Sequence, residues 1–153
     1  MKSPHLLRVE QGAAEYAPLF DAARSLDLRI GWLEWAESAP APLPPSLEAA
    51  AGEGALRAVA ASGGRTVAVK PMQGPPVLRD LLREHFRGCA LVLVQGESAD
   101  APTLRRDGEV YRVTSGSVVR TFDAMNLAKA LRRPRPFESE PPATGEAAPA
   151  AAS

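Results

Sequence analysis

The stretch from Ala55 to Gly96 constrains the fold of this 153-residue chain more than any other. Two apolar segments flank Gly63-Gly64, an amphipathic segment follows, and the apolar run Ala90 to Val94 comes last. Consecutive glycines supply the positive φ angles that a tight hairpin turn needs, and a short continuous apolar run is typical of a buried strand. The stretch therefore predicts a hairpin, a helix and a central strand.

The flanking segments supply the rest of a sheet. Leu6 to Val9 predicts a short strand, and Glu15 to Leu26 places its apolar residues at helical spacing. Leu28 to Trp35 is apolar on both alternating faces, which is typical of a strand covered on both sides. Asp107-Gly108 predicts a second hairpin turn, and Asp123 predicts the N-cap of a last helix.

The resulting order of strand, helix, strand, hairpin, helix, strand, meander and helix predicts an α/β protein, with α+β as the alternative. We expect a mixed β-sheet with βαβ-like units and a hairpin meander, and helices packed on the sheet. Residues 1–137 are predicted to form a single domain, in which a Pro-rich connector spans 38–46 and Ser46 caps a short helix. Residues 138–153 are rich in Pro, Ala and Glu without apolar periodicity, and this composition predicts a disordered tail.

The predicted helix between Pro76 and Gly88 has one apolar and one basic face. Pro76 is expected near its first position and Gly88 just beyond its end. His85 falls on the apolar face and is therefore interpreted as a core or boundary histidine. Cys89, which opens the next strand, is interpreted as a small buried hydrophobe.

Charge is distributed unevenly along a chain whose formal net charge is zero. Residues 1–54 carry a net charge of −4, residues 55–137 carry +7, and the remainder carries −3. Fifteen of the eighteen basic residues are Arg, which together with the many Ala and Pro residues indicates a high-GC bacterial gene. With a single cysteine and no long apolar run, the chain is expected to be cytoplasmic and not to enter a membrane.

The sequence contains no recognised catalytic motif. GxSxG, GxxxxGK[ST] and GxGxxG are absent, and the only two histidines, His5 and His85, are far apart in the sequence. We therefore expect no metal, no cofactor and no catalytic residues. An enzymatic activity stays possible only if its catalytic residues are distant in the sequence, where their spacing gives no recognisable motif.

The order of elements from Glu15 to Val94 resembles the αβββαβ core of the PD-(D/E)XK nuclease superfamily. In that family an acid two residues before a motif lysine helps to hold Mg²⁺. Lys70 falls where the motif lysine would lie, and Ala68 takes the place of the acid. The resemblance implies a degenerate nuclease-like core with Lys70 as its remnant. The elements from Ala55 onward also resemble the ββαβββα order of roadblock and longin-like scaffolding domains.

Arginine placement is the main surface signal. Arg79, Arg83 and Arg87 align at i, i+4 and i+8 along the predicted helix, and Arg132 and Arg133 follow the last helix. Such residues form either a solvated, partly ion-paired face or a phosphate-binding face.

Aromatic residues that could assist in binding are few. Tyr111 and Phe137 lie near the later arginines in sequence and could stack on bases. Trp32 and Trp35 could anchor a protein partner beside the Pro-rich connector, although tryptophans on a predicted strand more often belong to the core.

These observations favour a non-catalytic bacterial module that binds another protein. The candidate partner-binding residues are Trp32, Trp35, Arg79, Arg83, Arg87, Arg132 and Arg133. The alternative is a nucleic-acid-associated protein with a degenerate nuclease-like core.

Overall fold

The computed structural model of the protein describes residues 3–35, 43–70, 74, 77–96 and 101–137. Among them are eight strands, four α-helices and a short 3₁₀ helix at Ala13–Tyr16. The strands are β1 (His5–Val9), β2 (Ile30–Trp35), β3 (Ala58–Ser62), β4 (Arg65–Val69), β5 (Leu91–Gly96), β6 (Thr103–Asp107), β7 (Val110–Ser115) and β8 (Val118–Phe122). The α-helices are α1 (Ala17–Ser25), α2 (Pro45–Gly52), α3 (Leu78–His85) and α4 (Ala124–Ala130).

Six strands form one mixed sheet in the order β2-β5-β1-β6-β7-β8. β1 pairs in parallel with β5 on one side and with β6 on the other, and β5 also pairs in parallel with β2. β7 and β8 extend the sheet as an antiparallel meander. The first strand of the chain therefore lies inside the sheet, between strands that come much later in the sequence.

The alternating side chains of β5 divide the core into two clusters. Leu91 and Leu93 are fully buried on the face that α1 and α4 cover, in the larger cluster. Val92 and Val94 are fully buried on the opposite face, where Leu82 and Phe86 of the α3 region pack against them. Burial on both faces explains why this strand is a continuous apolar run.

The prediction of an α/β protein with a mixed sheet, a hairpin, a meander and packed helices is confirmed. The turn between β3 and β4 has positive φ at both Gly63 and Gly64, and Gly108 has positive φ in the β6–β7 turn. Asp123 caps α4, as predicted, by accepting a hydrogen bond from the backbone N–H of Asn126 at 2.7 Å. Residues 138–153 lie outside the described residues, so the predicted boundary at 137 and the predicted tail stay predictions.

The local predictions for α2, α3 and β2 had different outcomes, and the one for the start of α2 was wrong. Ser46 does not cap α2, because the helix already begins at Pro45; proline fits the first turn, where its missing N–H costs no helical hydrogen bond. α3 begins at Leu78 with Val77 as N-cap, and Pro76, predicted near the first helical position, lies outside the described residues. β2 lies at the edge of the main sheet, and its side chains pack on both faces, as predicted: Ile30 and Trp32 against the larger cluster and Leu33 against the smaller one.

The strand pairing shows the setting of the residues on which the family resemblances were based. β3 and β4 pair only with each other among the described strands, so Lys70 at the end of β4 does not extend from the main sheet. β1 lies between β5 and β6, so the elements after Ala55 depend on an N-terminal strand to complete their sheet. Both resemblances rest on the order of the elements along the chain.

Candidate functional site: an arginine groove at the amino end of β1

The groove depends on how α3 docks on the sheet. Leu78, Leu81 and Leu82 face the Val92 and Val94 cluster, and each is half-buried. Hydrophobic residues at this spacing turn the opposite side of a helix toward solvent. The apolar spacing of α3 thereby fixes its arginines on the surface.

Beside α3 the structure forms a groove of about 410 Å³ against the segment that precedes β1. Leu82, Phe86 and Pro4 supply apolar lining, and three arginines supply charge. Its lining residues, which we name the arginine groove, are Ser3, Pro4, Arg79, Leu82, Arg83, Phe86 and Arg87. The groove therefore unites the three arginines that the sequence analysis selected. The predicted helical alignment was wrong for Arg87, because α3 ends at His85 and Arg87 lies in the turn that follows.

The arginines of the groove differ in their pairing. Arg83 Nη2 donates to Asp80 Oδ1 at 2.7 Å, in a pair in which both side chains are more than half exposed. Within the part of the chain that the structure describes, Arg79 and Arg87 form no ion pair. Two guanidinium groups are thus available to a ligand without first breaking a salt bridge.

Glu84, the other acid on α3, does not neutralise the groove. Its carboxylate accepts a hydrogen bond from Lys70 Nζ, and this bond lowers the pKa of Glu84. Lys70, the proposed nuclease remnant, therefore pairs with α3 in an exposed contact. Among the described residues, no group of three or more His, Cys, Asp or Glu side chains is placed to hold a metal ion.

The arginines after α4 line a second, smaller depression of about 310 Å³. Arg132 and Arg133 contribute to it together with Ser3, which also lines the arginine groove. Arg132 Nη2 in addition donates to the carbonyl oxygen of Leu26 at 3.1 Å, where it satisfies the carboxyl end of α1. Arg133 forms no ion pair within the described residues.

The two depressions share Ser3, which lies just before β1. His5 N–H donates to the carbonyl of Ala90, and Ala90 N–H donates to that of Arg29. These bonds join the starts of β1, β5 and β2. Arg29 Nη1 lies 3.9 Å from where a Cβ on Gly88 would be, and Arg29 lines neither depression.

The two tryptophans are not equivalent partner-binding candidates. Trp32 is half-buried in β2, where its ring lies 6.1 Å from that of Tyr16 and its Nε1 donates to Glu34 Oε2 at 3.3 Å. This residue packs against the main core cluster. Trp35 is the last residue of β2, its backbone pairs with Gly96, and its side chain lies outside what the structure describes. Trp32 is not among the residues that line the arginine groove.

The degree of burial decides the roles of the remaining aromatic, histidine and cysteine candidates. Tyr111 and Phe137 are 1% and 5% exposed, so neither ring is available for base stacking. The prediction for His85 was wrong: its side chain is 55% exposed, because α3 ends at this residue and Phe86 takes the position on the core. Cys89 packs in the smaller core cluster, and burial raises the pKa of its thiol, which favours the unreactive protonated form.

Comparison of the sequence with models of known protein families finds no match, and comparison with curated proteins finds none either. Within the described residues, no helix is long and apolar enough to cross a membrane.

Proposed function

We propose that the protein is a non-catalytic interaction module whose arginine groove binds an acidic, amphipathic segment of another protein. The observation that carries this proposal is the combination of an apolar floor with arginines at its rim. A segment with apolar side chains would bury them on Leu82 and Phe86 while its carboxylates pair with Arg79 and Arg87. Charge-assisted hydrogen bonds from arginine to carboxylate are among the stronger polar contacts that proteins form.

A second candidate is binding to the phosphate backbone of nucleic acid. The meeting of the α3 arginines with Arg133 around Ser3 favours it, because a continuous basic surface is the usual signature of phosphate binding. Three features count against it. Tyr111 and Phe137 are buried, and Asp80 interrupts the arginine stripe on α3. The apolar floor of the groove, in addition, would make no favourable contact with a phosphate group. The protein-binding role is therefore the better supported.

The remaining parts of the proposal rest on the sequence. A bacterial source is inferred from its Arg-, Ala- and Pro-rich composition. A cytoplasmic location is inferred because a chain with one cysteine gains nothing from an oxidising compartment.

Fluorescence anisotropy with labelled short peptides tests the proposal. One peptide combines Leu and Phe with Glu, a second replaces Glu by Lys, and a third replaces Leu and Phe by Ser. Only the first is expected to bind the full chain. The double variant Arg79→Glu with Arg87→Glu should weaken this binding at least about tenfold, because two charge-assisted hydrogen bonds are lost.

A matched control reverses two arginines elsewhere, Arg65→Glu with Arg105→Glu. Both are exposed and form no ion pair within the described part of the chain, so net charge changes equally. The control should retain the affinity of the first peptide. Equal losses in both variants would mean that overall charge, not the groove, attracts the peptide. Tighter binding to duplex DNA, with a slope of about −0.9 per neutralised phosphate against the logarithm of salt, would instead establish the nucleic-acid role.

A further inference from the structure

The β3–β4 hairpin presents an unprotected strand edge. The hairpin forms its own two-stranded sheet, and β3, with the sequence Ala-Val-Ala-Ala-Ser, contains no charged residue and no proline. Proteins usually protect exposed edges with charges, prolines or bulges, because a free row of backbone groups pairs with other strands. Four large apolar side chains in and before the hairpin are also exposed: Leu43, Leu56, Val59 and Val67.

The turn geometry determines which backbone groups of β3 point away from β4. Gly63 and Gly64 both have positive φ, so they form the two-residue turn that closes on a hydrogen-bonded pair, Ser62 with Arg65. Hydrogen-bonded and non-hydrogen-bonded pairs alternate along an antiparallel ladder. Val59 and Ala61 therefore direct their N–H and C=O groups toward the free edge. Among the described residues, no hydrogen bond satisfies these groups.

We propose that this edge pairs with the same edge of a second copy, so that two hairpins form a four-stranded antiparallel sheet around a two-fold axis at Ala60. In this register Val59 of each copy faces Ala61 of the other, and the outward groups of both residues form hydrogen bonds. The two Ala60 residues form a non-hydrogen-bonded pair, whose short Cα separation small side chains accommodate. The contact is isologous and closes at two copies.

Charge favours β3 over β4 as the paired edge. In the proposed register the nearest charge, Arg57, lies opposite Gly63 of the other copy, so like charges do not face each other. The equivalent pairing of β4 would include Arg65 within the strand and Lys70 just beyond it from both copies. Extending the β3 register places Leu56, 89% exposed in the isolated chain, opposite Gly64, which has no side chain to obstruct it.

Sedimentation velocity of the full chain over a range of concentrations tests the proposal, with a reversible dimer as the expected result. Ala61→Pro removes an outward N–H of β3 and should raise the dimer dissociation constant at least about tenfold. The matched control is Thr66→Pro. Thr66 faces Ala61 across the hairpin and directs its N–H to the opposite edge, so the dimer should persist.

A cross-link tests the register independently of proline effects on folding. In a Cys89→Ser background, Ala60→Cys should form a disulfide-linked dimer with oxidised glutathione, because a non-hydrogen-bonded pair has Cα atoms about 4.5 Å apart, within the range of a disulfide. Ala68→Cys on the other strand should not. The proposal would be overturned if the chain were monomeric at every concentration or if Ala60→Cys formed no cross-link. It would also be overturned if Ala61→Pro and Thr66→Pro weakened the dimer equally, or if the edge paired with a segment of another protein. Arg79→Glu with Arg87→Glu should leave the dimer intact, so the two proposals fail separately.

Discussion

Gly31 lies where β2 passes closest to α3. A Cβ at this position would come within 2.4 Å of Phe86 Cδ1 and 2.8 Å of Phe86 Cε1, well inside contact distance. The Phe86 ring is itself held between the sheet and the arginine groove. A glycine is thus required at position 31 because the Phe86 ring lies too close for a Cβ, and not because of the backbone conformation. The absence of a side chain here lets α3 pack close to the sheet.

Gly31→Ala should lower the free energy of unfolding by about 1–3 kcal/mol, the usual cost of overpacking, because the added methyl group would displace the Phe86 ring from its packing on the smaller core cluster. Urea denaturation measures this change. Gly12→Ala is the control, since nothing lies within 4 Å of a Cβ there and its φ is −71°. If Gly31→Ala and Gly12→Ala had the same free energy of unfolding, the inference that Phe86 packs closely on Gly31 would be wrong.

Gln11 shows how one side chain extends a strand pair. Its Oε1 accepts from the backbone N–H of Arg106 at 2.7 Å, and its Nε2 donates to the carbonyl of the same residue at 3.0 Å. These bonds continue the β1–β6 ladder beyond its last backbone pair, Val9 with Leu104. The Tyr16 hydroxyl donates to the Leu104 carbonyl at 3.0 Å, and burial raises the pKa of Tyr16 to about 12. This side-chain pairing joins the parallel half of the sheet to the meander.

At the scale of the elements, α3 and α4 place the basic residues, and each is short. α4 spans seven residues and has a side-chain cap, in which Asp123 Oδ1 accepts from the Asn126 N–H and Oδ2 accepts from the Asn126 amide. α3 spans eight residues and has no side-chain cap. Short helices gain their stability from packing and from their ends more than from their interior. The position of Arg132 and Arg133 therefore depends on the start of α4.

Asp123→Ala should lower the free energy of unfolding by about 1 kcal/mol, because the Asn126 N–H loses its acceptor. Asp123→Asn keeps an oxygen acceptor and should retain most of the stability. Thermal unfolding followed by circular dichroism compares the two variants. Equal melting temperatures for the wild type and Asp123→Ala would show that the cap contributes nothing to the fold.

At the scale of the whole molecule, the two ends of the described chain close the core together. Phe137 is 5% exposed, and its ring lies 6.0 Å from that of His5 and 6.4 Å from that of Phe122. His5 Nε2 also lies 3.0 Å from the carbonyl oxygen of Leu131. The segment after α4 is thereby packed against β1 and β8, and it ends in a core residue.

Deletion of residues 138–153 is expected to leave the melting temperature nearly unchanged, because a Pro-, Ala- and Glu-rich segment buries too little apolar area to offset its ordering entropy. Phe137→Ala in the full chain should instead cost about 3 kcal/mol or more, the usual cost of removing a buried aromatic ring. Calorimetry measures both. A loss of several degrees on truncation would show that the tail docks, and an unchanged Phe137→Ala would remove Phe137 from the core.

Much of the fold could be predicted from the sequence because the signals are local. Gly63-Gly64 and Gly108 require positive φ whatever surrounds them, Asp123 caps its own helix, and the apolar run at β5 must be buried on both faces. Arg79 and Arg83 share a face of α3 through the helical period alone, whereas Arg87 lies in the turn after the helix. Such properties depend on neighbours within a few residues, so the order of residues determines them.

Only the tertiary structure decided which strands pair and what lies at their ends. No local signal places β1 between β5 and β6, separates the hairpin from the main sheet, or brings Ser3 between two groups of arginines more than forty residues apart. His85 is exposed for the same reason: its helical position allowed burial, but α3 ends there and Phe86 occupies the core. Strand order depends on the free energy of burying both faces of the whole sheet at once, and that energy is a sum over contacts distant in sequence.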